Sequence, residues 1–303
     1  MGSKISRVVF WSCCLIIPWL MLNSCNLYPQ DDFEEQYVVE SYLIAGEMME
    51  EVLLSKTLPF EEEYDFDENT VSGASVTVFE LDEDSTRKNS IPYFDQGNGV
   101  YLPGEDVKVQ PLRDYELEVI TPSEDTLRAF TSVPDTFSVA RNAAQEVTYQ
   151  SEEQAEVDLT RSTFPGRQNI YIFSTVALEP DTYPMTPLYQ TDDEKDREIA
   201  KQLRSNIISE GSYQVNDDGT ITIKYPWLAV AWFGPNRVTV YALDDNTYDF
   251  FRSQDVQLGG NTQAPGQIEN VITHVEGGTG LFGAMAGASF HIFVWPPEGF
   301  SGD

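Results

Sequence analysis

The sequence predicts a mainly β protein in which an N-terminal immunoglobulin-like antiparallel β-sandwich is followed by a second β-rich domain carrying one or two helices. From Tyr37 onward, short runs of alternating apolar and polar residues follow one another, and this period of two is typical of half-buried strands. Turn-forming residues separate the runs, and the aromatic content of 12% favours a packed core over disorder.

The first predicted domain comprises residues 37–136. About seven strands in about 100 residues is the size of an immunoglobulin-like sandwich. We expect a hairpin at Asp95–Gly99, because its glycine and asparagine residues tolerate positive φ. The runs that predict strands here are Tyr37–Ala45, Glu51–Thr57, Ala74–Leu81, Gly99–Leu102, Tyr115–Thr121 and Arg128–Val133.

The second predicted domain comprises residues 137–303. Turn residues at Asn216–Gly219 separate two of its strands, and Asp245 is expected to cap a short helix that carries Tyr248 and Phe251. The runs that predict strands are Glu146–Thr148, Gln154–Leu159, Asn169–Leu178, Ser212–Val215, Thr220–Tyr225, Arg237–Leu243 and Ser289–Trp295.

A longer helix is predicted near residues 192–209 of this domain. Thr191–Glu194 has the form of a capping box, and Gly211 can end the helix. The apolar residues that recur every four positions are Ile199, Leu203 and Ile207. This stripe is expected to pack on a sheet.

The N-terminus has the pattern of a bacterial lipoprotein signal peptide. Lys4 and Arg7 precede an apolar run, Val8–Leu22, that is shorter than the ~20 residues needed to span a bilayer. The run ends in Leu22-Asn23-Ser24-Cys25, so residues 1–24 are predicted to be removed and Cys25 to carry the lipid. The alternative is an ordinary signal peptide or an anchoring helix that ends in cysteine.

An acidic tether, residues 25–36, follows the lipid-attachment cysteine. Gln30, Asp31 and Asp32 resemble the surface-export signal of Bacteroidetes lipoproteins, which implies an outer-membrane protein that faces the cell exterior. A plain solvated acidic tether is the alternative.

The charge of the chain restricts its partners. There are 50 acidic and 18 basic residues, giving a formal net charge of −32. This excludes nucleic acid as a partner, because phosphate binding needs a basic surface. Contact with a membrane is therefore expected through the lipid anchor and not through protein charge.

The sequence offers little catalytic equipment. His274 and His291 are the two histidines, and no nucleophile elbow, zinc-protease motif or phosphate loop occurs. Asp65, Asp67 and Asn69 begin like a calcium loop, but the glycine and glutamate that complete one are absent. We expect no catalytic or metal-binding residues and no cofactor. Weak calcium binding by this acidic loop and a hydrolytic carboxylate pair remain alternatives.

Two apolar segments supply candidate contacts with a ligand or partner. Tyr225–Pro235 is the densest apolar stretch after the signal peptide and contains Trp227 and Trp232. Gly278–Gly283 matches Gly-x-Gly-x-x-Gly, but no helix of sufficient length follows, so we interpret it as a tight loop that places Leu281 and Phe282 inward or towards a partner. Packing in the core is the favoured interpretation for all four side chains, and contact with a ligand or partner is the alternative.

The order of several short motifs carries a family resemblance. After the cysteine motif come Tyr37–Leu43, Gly73–Val78 and Gly278–Gly283, and with this order the chain resembles the DUF4249 family of Bacteroidetes lipoproteins. The resemblance implies an outer-membrane lipoprotein of unassigned function, often encoded beside a TonB-dependent receptor.

Three functions follow from these observations. The first hypothesis is a non-enzymatic binding or accessory subunit of a TonB-dependent uptake system. The second is a stand-alone surface adhesin or structural lipoprotein. The third is an envelope glycan hydrolase that uses a pair of carboxylates.

Overall fold

The computed structural model describes residues 33–59, 65–142, 146–152, 154–162, 169–259 and 271–300. The chain divides into two compact units, Met1–Glu35 and Gln36–Asp303. The predicted signal peptide, Cys25 and the export residues Gln30, Asp31 and Asp32 lie outside the described residues. Within the described ranges, no helix is both long enough and apolar enough to cross a membrane.

The second unit is mainly β, as the sequence predicts. Its strands are β1 (Tyr37–Ile44), β2 (Val52–Lys56), β3 (Ser75–Leu81), β4 (Arg87–Asp95), β5 (Val100–Pro103), β6 (Asp114–Ile120), β7 (Thr126–Ser132), β8 (Val139–Asn142), β9 (Glu146–Thr148), β10 (Glu156–Leu159), β11 (Tyr171–Ala177), β12 (Gln202–Arg204), β13 (Gln214–Val215), β14 (Ile221–Lys224), β15 (Gly234–Leu243), β16 (Val275–Glu276) and β17 (Thr279–Trp295). The helices are α1 (Glu194–Ala200) and α2 (Asp245–Gly259), with 3-10 turns at Glu210–Ser212 and Trp227–Ala229.

The strands form two sheets. The larger follows the order β12-β11-β15-β17-β1-β2-β5-β4-β3-β6-β7-β16, and β9 pairs with the end of β17. The smaller has the order β13-β14-β10-β8. Its apolar side packs on the larger sheet, where the rings of Phe173 and Tyr225 meet edge to face at 5.2 Å. The arrangement is sandwich-like, and both predicted β regions contribute strands to the larger sheet.

Strand β17 joins those two regions. Its first part pairs in parallel with β1, from Val38 with Thr279 to Ile44 with Met285. Its remaining length pairs antiparallel with β15, as far as Gly234 with Val294. One continuous strand therefore belongs to both halves of the sheet.

A glycine corner precedes β17. Val275 and Glu276 pair with β7, and after Gly277 and Gly278 the chain pairs with β1. This short crossing closes strands β1 to β7 into a sandwich. Gly280 has a φ of +106°, and a Cβ there would overlap the carbonyl oxygen of Val39. The close approach of β17 to β1 therefore requires glycine.

The core is continuous across both regions. Its largest cluster includes Val39, Leu54, Val119, Phe173, Val238 and Phe282, each with at most 2% of its surface exposed. A smaller cluster under α2 contains Ile170, Ile172, Leu243, Phe251, Leu281 and Met285. Helix α2 thus covers the outer face of the first half of β17.

Asp244 ties α2 to the strands beneath it. Its carboxylate accepts hydrogen bonds from Thr131 Oγ1 at 2.5 Å and from the backbone N of Thr247 at 2.8 Å. It is buried, and it caps the helix one residue before the predicted Asp245. Asn246 donates to the carbonyl oxygens of Phe130 and Phe282, which fixes α2 to both β7 and β17.

The helix predicted near residues 192–209 is half as long as expected. Asp193 caps α1, which ends at Ala200, and Leu203 lies in β12 opposite Thr175 of β11. Ile199 is 61% exposed, so the four-residue periodicity did not mark a buried face. Hydrogen bonding to the edge of β11 replaces the second half of the helix.

Two strand predictions also need correction. The glycine-rich segment Gly278–Gly283 was expected to be a loop, yet β17 begins at Thr279, and the predicted Ser289–Trp295 is the end of this 17-residue strand. Strand β4 was not predicted, because exposed Lys88, Asn89 and Ser90 break its apolar alternation. The hairpin at Asp95–Gly99 is present between β4 and β5.

Gly280→Ala should destabilise the protein by about 2–4 kcal/mol, because the added Cβ clashes with β1 and the backbone is in a region that alanine avoids. The measurement is the free energy of unfolding in urea. Gly211→Ala is the matched control, since a Cβ there meets no atom within 4 Å, and its effect should stay within about 0.5 kcal/mol. Equal effects of the two changes would contradict the close-approach requirement.

Burial raises the pKa of the Asp244 carboxyl above its ordinary value. The folded protein therefore takes up this proton at a higher pH than the unfolded chain does. Relative to Asp244→Asn, the unmodified protein should gain free energy of unfolding as the pH falls through the folded-state pKa towards about 3.9. Urea denaturation at a series of pH values measures this difference.

Asp218 provides a control of opposite sign. Hydrogen bonds from Thr220 lower the pKa of its exposed carboxyl. Relative to Asp218→Asn, the unmodified protein should therefore lose stability as the pH falls through that lowered pKa. The same comparison for Asp244 should show the opposite trend. If the unmodified protein lost stability relative to Asp244→Asn as the pH decreased, burial of the Asp244 carboxylate would not control its titration.

Candidate functional site

Three of the four side chains considered as possible contacts with a ligand or partner are buried, as the packing interpretation expects. Trp232 and Leu281 are each 2% exposed and Phe282 is 1% exposed, so all three side chains pack in the core. Trp232 donates from Nε1 to the carbonyl oxygen of Ala200. Trp227 is half-buried, with its ring edge to face with that of Tyr149 at 5.6 Å.

The histidines do not form a nucleophilic site within the described residues. His274 Nε2 lies 3.0 Å from Asp249 Oδ2. Ser253 lies one turn away on α2, but its hydroxyl donates to the carbonyl oxygens of Asp249 and Phe250. His291 is exposed on β17. Among the residues that the structure describes, no serine is therefore aligned with the His274–Asp249 pair for attack.

The acidic loop around Asp65 uses its polar groups on its own backbone. Asp65 Oδ1 accepts from the backbone N of Asp67, and Asn69 Nδ2 donates to the carbonyl oxygen of Asp65. The predicted acidic loop is Glu61–Glu68, and its residues 61–64 lie outside the described residues. In the described part of the chain, no group of three or more His, Cys, Asp or Glu side chains could hold a metal ion.

An exposed row of aromatic rings lies at the end of β17. We call Tyr183, Phe293 and Trp295 the aromatic row. The rings of Tyr183 and Phe293 meet edge to face at 5.5 Å, and those of Phe293 and Trp295 are tilted at 4.3 Å. Trp295 is 46% exposed and the other two are half-buried. The row therefore presents a continuous aromatic surface to solvent.

The strands position this row. Phe293 and Trp295 are two residues apart on β17, so their side chains share one face of the sheet. Tyr183 lies over Gly234 of β15, where a Cβ would overlap the tyrosine ring. Trp295 Nε1 donates to Glu146 Oε2 at 2.9 Å, which orients the indole.

A polar cleft adjoins the aromatic row. Its volume is about 740 Å³, and Tyr183 belongs to both the cleft and the aromatic row. The residues that line it are Pro180, Asp181, Thr182, Tyr183, Pro184, Met185, Gln190, Thr191, Asp192 and Arg197. Carboxylates, hydroxyls, an amide and one guanidinium thus stand beside the aromatic row.

The buried Trp232 supports the floor of this cleft. The guanidinium of Arg197 lies 5.0 Å from the centre of the Trp232 ring, and its Nη1 contacts Met185 Sδ at 3.7 Å. Trp232 therefore positions a cleft residue without touching solvent. Trp232 therefore contributes to the candidate site indirectly, through its contact with Arg197.

The arrangement is suited to binding. Exposed aromatic rings supply apolar contact area, and the neighbouring polar side chains supply directional hydrogen bonds. Sequence reasoning identified the strand Ser289–Trp295 but did not assign its outward face. Because Ile292, Phe293, Val294 and Trp295 are all apolar, hydropathy alternation could not separate the outward pair, Phe293 and Trp295, from the buried pair.

A family comparison identifies the chain. The model of DUF4249, described as a domain of unknown function, matches residues 26–290. The chain belongs to the DUF4249 family. No curated protein is significantly similar to this DUF4249 protein in sequence.

Solved structures resemble this DUF4249 protein only distantly. Native Escherichia coli alpha-2-macroglobulin is 10% identical with a TM-score of 0.22, and the match covers 72% of this chain and 14% of that one. The trypsin-activated form is 10% identical with a TM-score of 0.21, and the match covers 72% of this chain and 15% of that one. The three N-terminal domains of the bacteriophage RB49 outer capsid protein Hoc are 8% identical with a TM-score of 0.21. That match covers 88% of this chain and 71% of the other. Similarities this low assign no site to the DUF4249 chain.

The exposure of the aromatic row can be measured by fluorescence. Trp295→Phe should remove an acrylamide-quenchable part of the tryptophan emission, because the Trp295 indole is 46% exposed. Trp232→Phe is the control in the DUF4249 protein, since this ring is 2% exposed and should be poorly quenched. Stronger quenching at Trp232 than at Trp295 would contradict the assignment of these faces.

Proposed function

We propose that the chain is a non-enzymatic binding subunit of a TonB-dependent uptake system, attached to the outer membrane through a lipid on Cys25 and facing the cell exterior. The aromatic row with its polar cleft is the observation that supports a binding role. Aromatic residues dominate the energetics of interfaces, and this row is already held in place in the free protein.

The lipid anchor rests on the N-terminal sequence. Leu22-Asn23-Ser24-Cys25 closes the apolar segment, and β1 begins at Tyr37. The intervening tether can extend to about 40 Å at most, at ~3.3–3.6 Å per residue. Such a tether gives a surface domain room to contact a membrane-embedded partner.

The charge of the chain narrows what the aromatic row would bind. With a formal net charge of −32, the protein repels anionic ligands at long range. Neutral ligands, and partner surfaces with basic residues, are not repelled by this charge. Asp181 and Asp192 in the cleft add negative charge at short range, offset in part by Arg197.

The proposal predicts that a TonB-dependent barrel stays bound when the native protein is extracted gently from outer membranes. Detergent extraction, purification and mass spectrometry would show a stoichiometric barrel. Cys25→Ala should move the protein out of the membrane fraction, because the thiol that accepts the lipid is gone. A lipoprotein purified alone would contradict the accessory role and favour the surface adhesin or structural lipoprotein.

The role of the aromatic row needs its own variant. Trp295→Ala should lower the amount of co-purified barrel or the uptake through it, because the most exposed ring of the row is lost. Phe94→Ala is the matched control, since Phe94 is 58% exposed on β4 and lies outside the row. Equal losses with both variants would contradict a specific role for the aromatic row.

A further inference from the structure

A second cleft lies between the segment that follows β12 and the segment that follows β14. Its volume is about 380 Å³, within the ~300–1,000 Å³ typical of small-molecule sites. The residues that line it are Tyr189, Arg204, Ser205, Asn206, Ile207, Ile208, Ser212, Lys224, Pro226 and Leu228. We call it the cationic cleft.

The charge of this cleft is opposite to that of the chain. Arg204 and Lys224 line it, and none of its described lining residues is acidic. Acidic side chains outnumber basic ones by 50 to 18 in the chain, and three other clefts each include at least two carboxylates. A cleft lined by two cations and no carboxylate therefore stands out from the rest of the surface.

The guanidinium of Arg204 is held in place by contacts that do not use all of its N–H donors. Its guanidinium stacks on Phe251 at 4.3 Å and donates from Nη2 to Asp255 Oδ1 at 2.7 Å. Its Nη1 is buried and has no hydrogen-bond partner among the described residues. A guanidinium carries five N–H donors in a fixed plane, and the Arg204 side chain is 30% exposed, so its accessible N–H groups can donate to an acceptor in the cleft.

Lys224 supplies a second, more mobile charge. Its Nζ lies 3.7 Å from Glu156 Oε1, and its side chain is 67% exposed. An ammonium has three donors and a flexible stem, so it can turn towards an anion in the cleft without losing a strong ion pair.

The remaining lining is apolar. Ile207, Ile208, Pro226 and Leu228 contribute aliphatic surface, and Leu228 is 59% exposed. Tyr189 donates from its hydroxyl to the carbonyl oxygen of Leu228 at 2.5 Å, which holds the two sides of the cleft together. The cleft therefore combines a cationic part with an apolar part.

We propose that the cationic cleft binds the carboxylate of a small ligand whose adjoining part is apolar. Arg204 and Lys224 contact the carboxylate, and the aliphatic side chains contact the apolar part. A short fatty acid and the C-terminus of an apolar peptide both have this chemistry. The assignment depends on neither the lipid on Cys25 nor a barrel, so it stands or falls separately from the proposed function.

The test is isothermal titration calorimetry on the full chain in non-ionic detergent, with a protein-free detergent blank. The probes are hexanoate and N-acetyl-leucyl-leucine, each compared with its neutral amide. At least one acid should bind about tenfold more tightly than its amide, because a charged hydrogen-bonded contact is lost in the amide. The acid that binds identifies the source as an acyl chain or a peptide C-terminus.

Lys224→Gln should weaken the binding of that acid about tenfold and leave the binding of its amide unchanged. Lys88→Gln is the matched control, because Lys88 forms an exposed ion pair of the same length, 3.7 Å, with Glu80 and lies outside the cleft. Leu228→Ser should weaken both the acid and the amide, since it removes apolar contact. Equal affinities for acid and amide, equal effects of the two lysine changes, or no binding of either acid would overturn the proposal.

Discussion

The parallel pairing of β1 with β17 is the constraint on which the rest of the structure depends. It brings Val39 and Gly280 together so closely that only glycine is accommodated. Through the short corner at Gly277 and Gly278, the same strand closes the β1 to β7 sandwich, and through its C-terminal half it forms the centre of the other β region. Removing this pairing would separate the two halves of the sheet.

The same strand exposes different parts of its length to solvent. Helix α2 packs over Leu281 and Met285 and so occupies the outer face of the first half of β17. The second half carries Phe293 and Trp295 outward, beside Tyr183. The cationic cleft lies elsewhere, after the edge strand β12, where an arginine and a lysine meet aliphatic side chains. The two surfaces differ in charge and chemistry, and the clefts at them share no lining residue.

Local patterns in the sequence predicted most strands, because alternation and turn residues depend on neighbours only. They failed where a distant partner decides the structure. Leu203 pairs with Thr175 in a strand although its spacing from Ile199 suggests a helix, and Thr279–Trp295 forms one long strand because β1 and β15 flank it. The aromatic row was missed for the same reason: Tyr183 meets Phe293 only in the folded sheet. The burial of Trp232 also depends on distant packing.

The pairing of β1 with β17 links Val38 to Thr279, residues near opposite ends of the described chain. Contacts of such long sequence separation slow folding, because a large loop must close before the contact forms. Strands β1 to β7 therefore lack their closing partner until residues 279–285 have been made. Until that pairing forms, the edge of β1 stays unpaired, and an unpaired edge in a partly folded chain is prone to aggregation.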